Sequence, residues 1–110
     1  MAEERINEII NFLLSNLKND FVKVDKIVLF GSHINNTATE ESDLDIGIIS
    51  EDFNDKNIFE RGKLVSNAER MTIRKFMIPL DIVMLTPHEL SNETTLIASY
   101  LKEGKVVFAA

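Results

Sequence analysis

Three apolar runs, none longer than seven residues, constrain the fold of this chain more than any other feature. They are Val24-Asp25-Lys26-Ile27-Val28-Leu29-Phe30, Leu44-Asp45-Ile46-Gly47-Ile48-Ile49 and Leu80-Asp81-Ile82-Val83-Met84-Leu85. Each is rich in β-branched and large apolar residues and too short for an ordinary helix. The first stops at Gly31 and the last opens at Pro79, so all three read as strands. Between them the hydrophobic period changes. Ile6, Ile9, Ile10, Leu13, Leu14 and Leu17 recur at steps of three and four, which predicts a helix of about 3–18 with one apolar stripe to lay on a sheet. Asn54 or Asp55 can cap a second helix running to about Met71, with Ile58, Phe59, Val65, Ala68 and Met71 on a less regular face interrupted by Gly62. Thr86-Pro87-His88-Glu89 matches a capping box with proline at the first helical position and predicts a short helix. A last helix near 92–103 ends at Gly104, before the apolar Val106-Val107-Phe108. The order helix, strand, turn, strand, helix, strand, helix describes an α/β (α+β) fold, a small sheet covered by helices. No linker or repeat divides the chain, so residues 1–110 are expected to form a single domain.

Charge and composition narrow the partners. A net charge of -6 repels a phosphate backbone over most of the surface, so direct nucleic-acid binding is not expected. The absence of cysteine removes disulfides and thiolate metal sites. The start MAEERINEII lacks the basic and apolar segments of a secretory signal, and no apolar run approaches the roughly 20 residues that span a bilayer. A cytoplasmic protein with no membrane association is the expectation.

The chemistry concentrates at residues 31 to 45, GSHINNTATEESDLD. Strand alternation puts Leu44, Ile46 and Ile48 on one face and Asp43, Asp45 and Gly47 on the other, so two carboxylates point the same way about 6 to 7 Å apart. Asp81, on the third strand, shares a face with Val83 and Leu85 and can complete a ring of oxygens. Three clustered carboxylates repel one another unless one keeps its proton or divalent cations supply charge, and hard cations such as Mg²⁺ suit oxygen ligands. Gly31 lets the backbone bend and a ligand approach, and Ser32 offers a hydroxyl and an amide to phosphate oxygens. Taken singly, Gly31-Ser32 is an ordinary strand-ending turn, Asp43 and Asp45 a solvated strand entrance, and Asp81 an edge or paired carboxylate. Taken together at this offset, Gly-Ser and Asp-x-Asp arise by chance about once in a thousand chains of this length.

The spacing Gly31-Ser32, ten residues, Asp43-Leu44-Asp45, with Asp81 in PLDIVML, resembles the minimal nucleotidyltransferase (MNT) family of the DNA polymerase β-like nucleotidyltransferase superfamily. The similarity spans essentially the whole chain, including the leading helix and the ending GKVVF. It implies the small mixed β-sheet of the polymerase β-like fold. It also implies transfer of a nucleoside monophosphate from a triphosphate to a hydroxyl or similar acceptor, with pyrophosphate leaving. On this resemblance Asp43, Asp45 and Asp81 are the catalytic and metal residues for two Mg²⁺ ions. Asp81 helps deprotonate the acceptor, and Gly31 and Ser32 bind the nucleotide phosphates.

Minimal proteins of this family are commonly MntA-type antitoxins whose partner is a HEPN-type toxin. The resemblance therefore implies a protein adenylyltransferase that moves AMP from ATP onto a toxin tyrosine. A non-catalytic antitoxin that neutralises its partner by binding, and a small-molecule nucleotidyltransferase, stay open as alternatives. So do the base preference and the assembly with like or unlike chains. The chain departs from the family pattern at His33 and Asn36, where relatives carry a basic residue and a glycine. Arg74 and Lys75 are considered for an anionic ligand, His88 is given no chemistry, and Met71, Met77 and Met84 are read as packing residues.

Overall fold

A computed structural model describes residues 3–31, 43–92 and 95–110. The expected helical stripe forms α1, Glu3–Asn19, which buries Ile9, Ile10, Leu13 and Leu17, with Ile6 and Leu14 packed beside them. The helix closes as Phe21 takes a left-handed conformation, φ 63°, while the Val22 amide donates to the Leu17 carbonyl at 2.9 Å.

The three apolar runs are strands: β1, Lys26–Phe30; β2, Leu44–Ile49; β3, Leu80–Leu85. A fourth, β4, Lys105–Ala109, takes in the apolar tail that was not assigned an element from sequence. The order is β3-β2-β1-β4. β1 lies antiparallel to β2 and to β4, and β2 lies parallel to β3, so the sheet is mixed.

The parallel pair needs a crossover, which α2, Ile58–Phe76, supplies. Its start differs from the expected one. Ser50 caps a 3-10 turn at Glu51–Phe53 and Asp55 is left-handed, φ 60°, so neither Asn54 nor Asp55 begins the helix. Asn57 caps it instead, in a reciprocal box with Glu60. Arg61 then ties the first turn of α2 to its surroundings. Its Nη1 donates to the Met84 carbonyl at 3.0 Å and to the Glu89 carboxylate at 2.7 Å.

The Thr86–Glu89 capping box forms as expected and opens α3, Pro87–Asn92. α4, Leu96–Lys102, follows, capped by Thr95. Among the methionines, Met84 packs against the core while Met71 and Met77 are exposed, so the expected packing role holds only for the first.

Both faces of the sheet are covered, unequally. Ile27, Leu29, Leu44, Ile46 and Ile48 join the residues of α1 and α2 in the larger core. On the other face Val28 and Ile49 meet Leu101 of α4. Gly47 makes that contact intimate, since a Cβ there would come within 2.6 Å of Leu101 Cδ2. Among the described residues, no helix is long and apolar enough to cross a membrane.

Candidate active site

Strand alternation and register together build the acidic edge. Leu44, Ile46 and Ile48 face α1 and α2, so Asp45 and Gly47 face α4. In the parallel ladder Asp45 is paired with Asp81, which places both carboxylates on one face at the same level. The Leu44 amide donates to the Pro79 carbonyl at 3.1 Å, fixing the two strand entrances side by side. Asp43 precedes β2 at that same end and is exposed, as is Asp81, whereas Asp45 is half-buried.

Antiparallel pairing sets Phe30, the last residue of β1, opposite Asp45. Gly31 follows with φ 77°, a left-handed turn that L residues resist. A methyl group at Gly31 would overlap the Asp45 carboxylate. The glycine is thus required twice, by the backbone angle and by the side chain lying against it. Ser32, His33 and Asn36 lie outside the described residues.

A fourth carboxylate, not singled out from sequence, lies near enough to Asp81 to feel its charge. Burial pushes Glu69 of α2 above its ordinary value, and the negative charge of Asp81 pushes it the same way. Only residues 77–79 link α2 to β3, but no local residue pattern marks Glu69 as a neighbour of Asp81.

Among the described residues, no group of three or more Asp, Glu, His or Cys side chains closes into a metal cage. Asp43, Asp45 and Asp81 share a strand end without forming one. The donor chemistry nevertheless suits Mg²⁺, which usually takes one or two carboxylates and fills its shell with water and substrate phosphate. Other candidates fall elsewhere. Lys75 places its ammonium 4.5 Å from the centre of the Phe12 ring, against α1, and exposed His88 sits in α3. A groove of about 620 Å³ lies between the end of α1 and Phe108, away from the carboxylates.

A small mixed sheet with an acidic strand end beside a glycine turn is a frame for handling phosphate esters. The family model described as "Polymerase beta, Nucleotidyltransferase" matches residues 7–110, and the chain belongs to that family of nucleotidyltransferases. It is similar to a Methanocaldococcus jannaschii protein whose name provisionally assigns protein adenylyltransferase activity, with 28% identity over 111 residues, 98% of this chain and 75% of the relative. Among solved structures it resembles a provisionally named Sulfolobus solfataricus nucleotidyltransferase (TM-score 0.65, 18% identity, 99% of this chain and 90% of that one). It also resembles a toxin–antitoxin structure with AMP-PNP (TM-score 0.64, 21% identity, 91% and 73%). A mutant of the MntA-HpeT toxin–antitoxin is similar as well (TM-score 0.59, 17% identity, 100% and 75%). At these identities the structures establish the fold.

Proposed function

We propose that this chain is a Mg²⁺-dependent protein adenylyltransferase that moves AMP from ATP to a tyrosine hydroxyl of a HEPN-type toxin. It thereby acts in the cytoplasm as the toxin's antitoxin, with residues 1–110 as one catalytic unit. The observation that carries the reading is the level pairing of Asp45 with Asp81, with Gly31 turned against the Asp45 carboxylate. The name of the M. jannaschii relative and the toxin–antitoxin neighbours support the choice of a protein acceptor.

Asp43, Asp45 and Asp81 are the residues that would hold Mg²⁺, two ions in the family pattern. Bound there, the metal supplies positive charge to the triphosphate and to the entering and departing oxygens. The chain's own groups do the rest. Gly31 turns the chain against the Asp45 carboxylate at the phosphate end of the site, and Ser32 is assigned to donate to the phosphate oxygens. Asp81 takes the proton of the acceptor hydroxyl as its oxygen bonds to the α-phosphorus. The bond from that phosphorus to the bridging oxygen breaks, and its electron pair leaves with pyrophosphate.

The test is to incubate the chain with its partner toxin, Mg²⁺ and α-labelled ATP. The toxin should become labelled, and Asp43→Asn with Asp45→Asn should reduce labelling by at least about a hundredfold, a loss typical when electrostatic stabilisation is removed. Undiminished labelling by the double variant would refute the assignment. A non-catalytic antitoxin is the second reading. Toxin neutralisation that survives the double substitution would select it.

A further inference from the structure

The proposed function places the triphosphate at the strand end but says nothing of where the nucleoside goes. α4 supplies a place. It packs on the sheet through buried Ala98 and Leu101, and Leu101 rests on Gly47. Lys102 lines a depression with Asp25, Lys26 and Ile49. That depression marks the far end of the β1–β2 pair, because Lys26 is opposite Ile49 there and Phe30 is opposite Asp45 at the near end.

Successive helical residues are about 100° apart. With Leu101 directed at the sheet and Lys102 on the flank toward the far end, Tyr100 lies on the opposite flank, toward Asp45 and Asp81. Ile97, one turn earlier, lies on the same side. Gly47, under Leu101, is one pleat repeat from Asp45, about 6 to 7 Å. Tyr100, the one aromatic residue of α4, therefore sits on the flank toward the carboxylate edge. It is 53% exposed and Ile97 38%, and the ring pair among the described residues is Phe12 with Phe76, so the Tyr100 face is not taken by another ring.

We propose that Tyr100, walled by Ile97, is the platform on which the base of the bound nucleoside triphosphate stacks. This inference rests on the nucleotidyl-transfer reading of the same site. The edge is divided chemically: the carboxylates of Asp43, Asp45 and Asp81 accept the phosphates only through cations, while the neutral π-face of a base needs an apolar, planar surface. Tyr100 and Ile97 provide that surface beside the charged one. Stacking tolerates any base because every base has a π-face. The platform thus predicts binding of ATP and GTP within a few-fold of each other.

The chain has one tyrosine and no tryptophan, so its intrinsic ultraviolet emission reports on Tyr100 alone. Titrating the full chain in Mg²⁺ with a non-hydrolysable ATP analogue should quench that emission, whereas inorganic tripolyphosphate should bind without comparable quenching. By calorimetry Tyr100→Ala should bind the analogue about 5- to 150-fold more weakly, with tripolyphosphate affinity unchanged, while Tyr100→Phe stays within about twofold of the native chain. Thermal unfolding checks that both variants fold, as expected for a half-exposed side chain. Equal analogue affinity in the native chain and Tyr100→Ala overturns the platform and leaves nucleotidyl transfer standing. If that variant instead raises KM for the protein acceptor, the ring belongs to the acceptor and the platform is again overturned. If neither the analogue nor tripolyphosphate binds, both readings fall.

Discussion

Replacing Gly31 with alanine should injure the protein in two separable ways, and the same replacement at Gly62 should improve it. At Gly31 the backbone sits at φ 77°, where an L residue costs about 1 to 2 kcal/mol. The new methyl group would also overlap the Asp45 carboxylate, so either the turn or the acid must move. The combined penalty is about 1 to 3 kcal/mol, which for a domain of this size lowers Tm by roughly 5 to 15 °C. A shift of about 1 Å in a reacting group can cost on the order of a hundredfold in rate, so labelling of the partner by ATP should fall that far even where the variant remains folded. Gly62 lies inside α2, and a Cβ there meets nothing within 4 Å. Gly62→Ala should gain about 0.5 to 1 kcal/mol by removing backbone freedom from the unfolded chain, with activity unchanged. Calorimetric melts and single-turnover labelling of the two variants together make the comparison. A Gly31→Ala protein that melts within 2 °C (roughly 0.5 kcal/mol) of the native chain and labels at full rate would show that the turn does not press on Asp45.

Phe21→Gly should stabilise the chain by about 1 kcal/mol, since this 94% exposed residue occupies a left-handed helix-closing position that glycine fills without strain; the urea midpoint measures it. Glu89 gives a pH test. Burial raises its carboxyl, but hydrogen bonds from Arg61 and Thr86 and the Arg61 charge more than offset that and leave it below its ordinary value. The stability it confers is therefore present above about pH 4.5, its unfolded value, and lost as pH falls through the lower folded value. Glu89→Gln should accordingly be less stable than the native chain near pH 7, with the two urea midpoints converging below pH 4. A gap that stays constant over that range would count against the Arg61 pairing.

Much of the frame could be read from residue order because the signals were local. The stripe from Ile6 to Leu17, the alternation around Asp45 and the Thr86–Glu89 box each specify an element within a few residues, and the structure contains all three. Side-chain facing was legible for the same reason, since a period of two decides it. What escaped depended on distant partners. Val106-Val107-Phe108 becomes a strand only because α4 returns the chain to the free edge of β1. The start of α2 moved to Asn57 because Ser50, bonded through its hydroxyl to the Lys23 carbonyl, caps a turn that uses up the intervening residues. Glu69 feels the charge of Asp81 from a neighbouring helix. The level match of Asp45 with Asp81 likewise needed the crossover, since neither strand alone fixes the other's height.

That match has a consequence for how the molecule fails. Residue 45 meets residue 81, 36 positions further along, only after α2 has crossed the sheet and docked. A nascent or clipped chain that stops short of the third strand holds half of the proposed reaction centre and on that proposal has no catalytic competence to lose gradually. Loss of turnover and loss of tertiary order should coincide in any denaturation series, so that the enzyme behaves as a switch thrown by its own integrity.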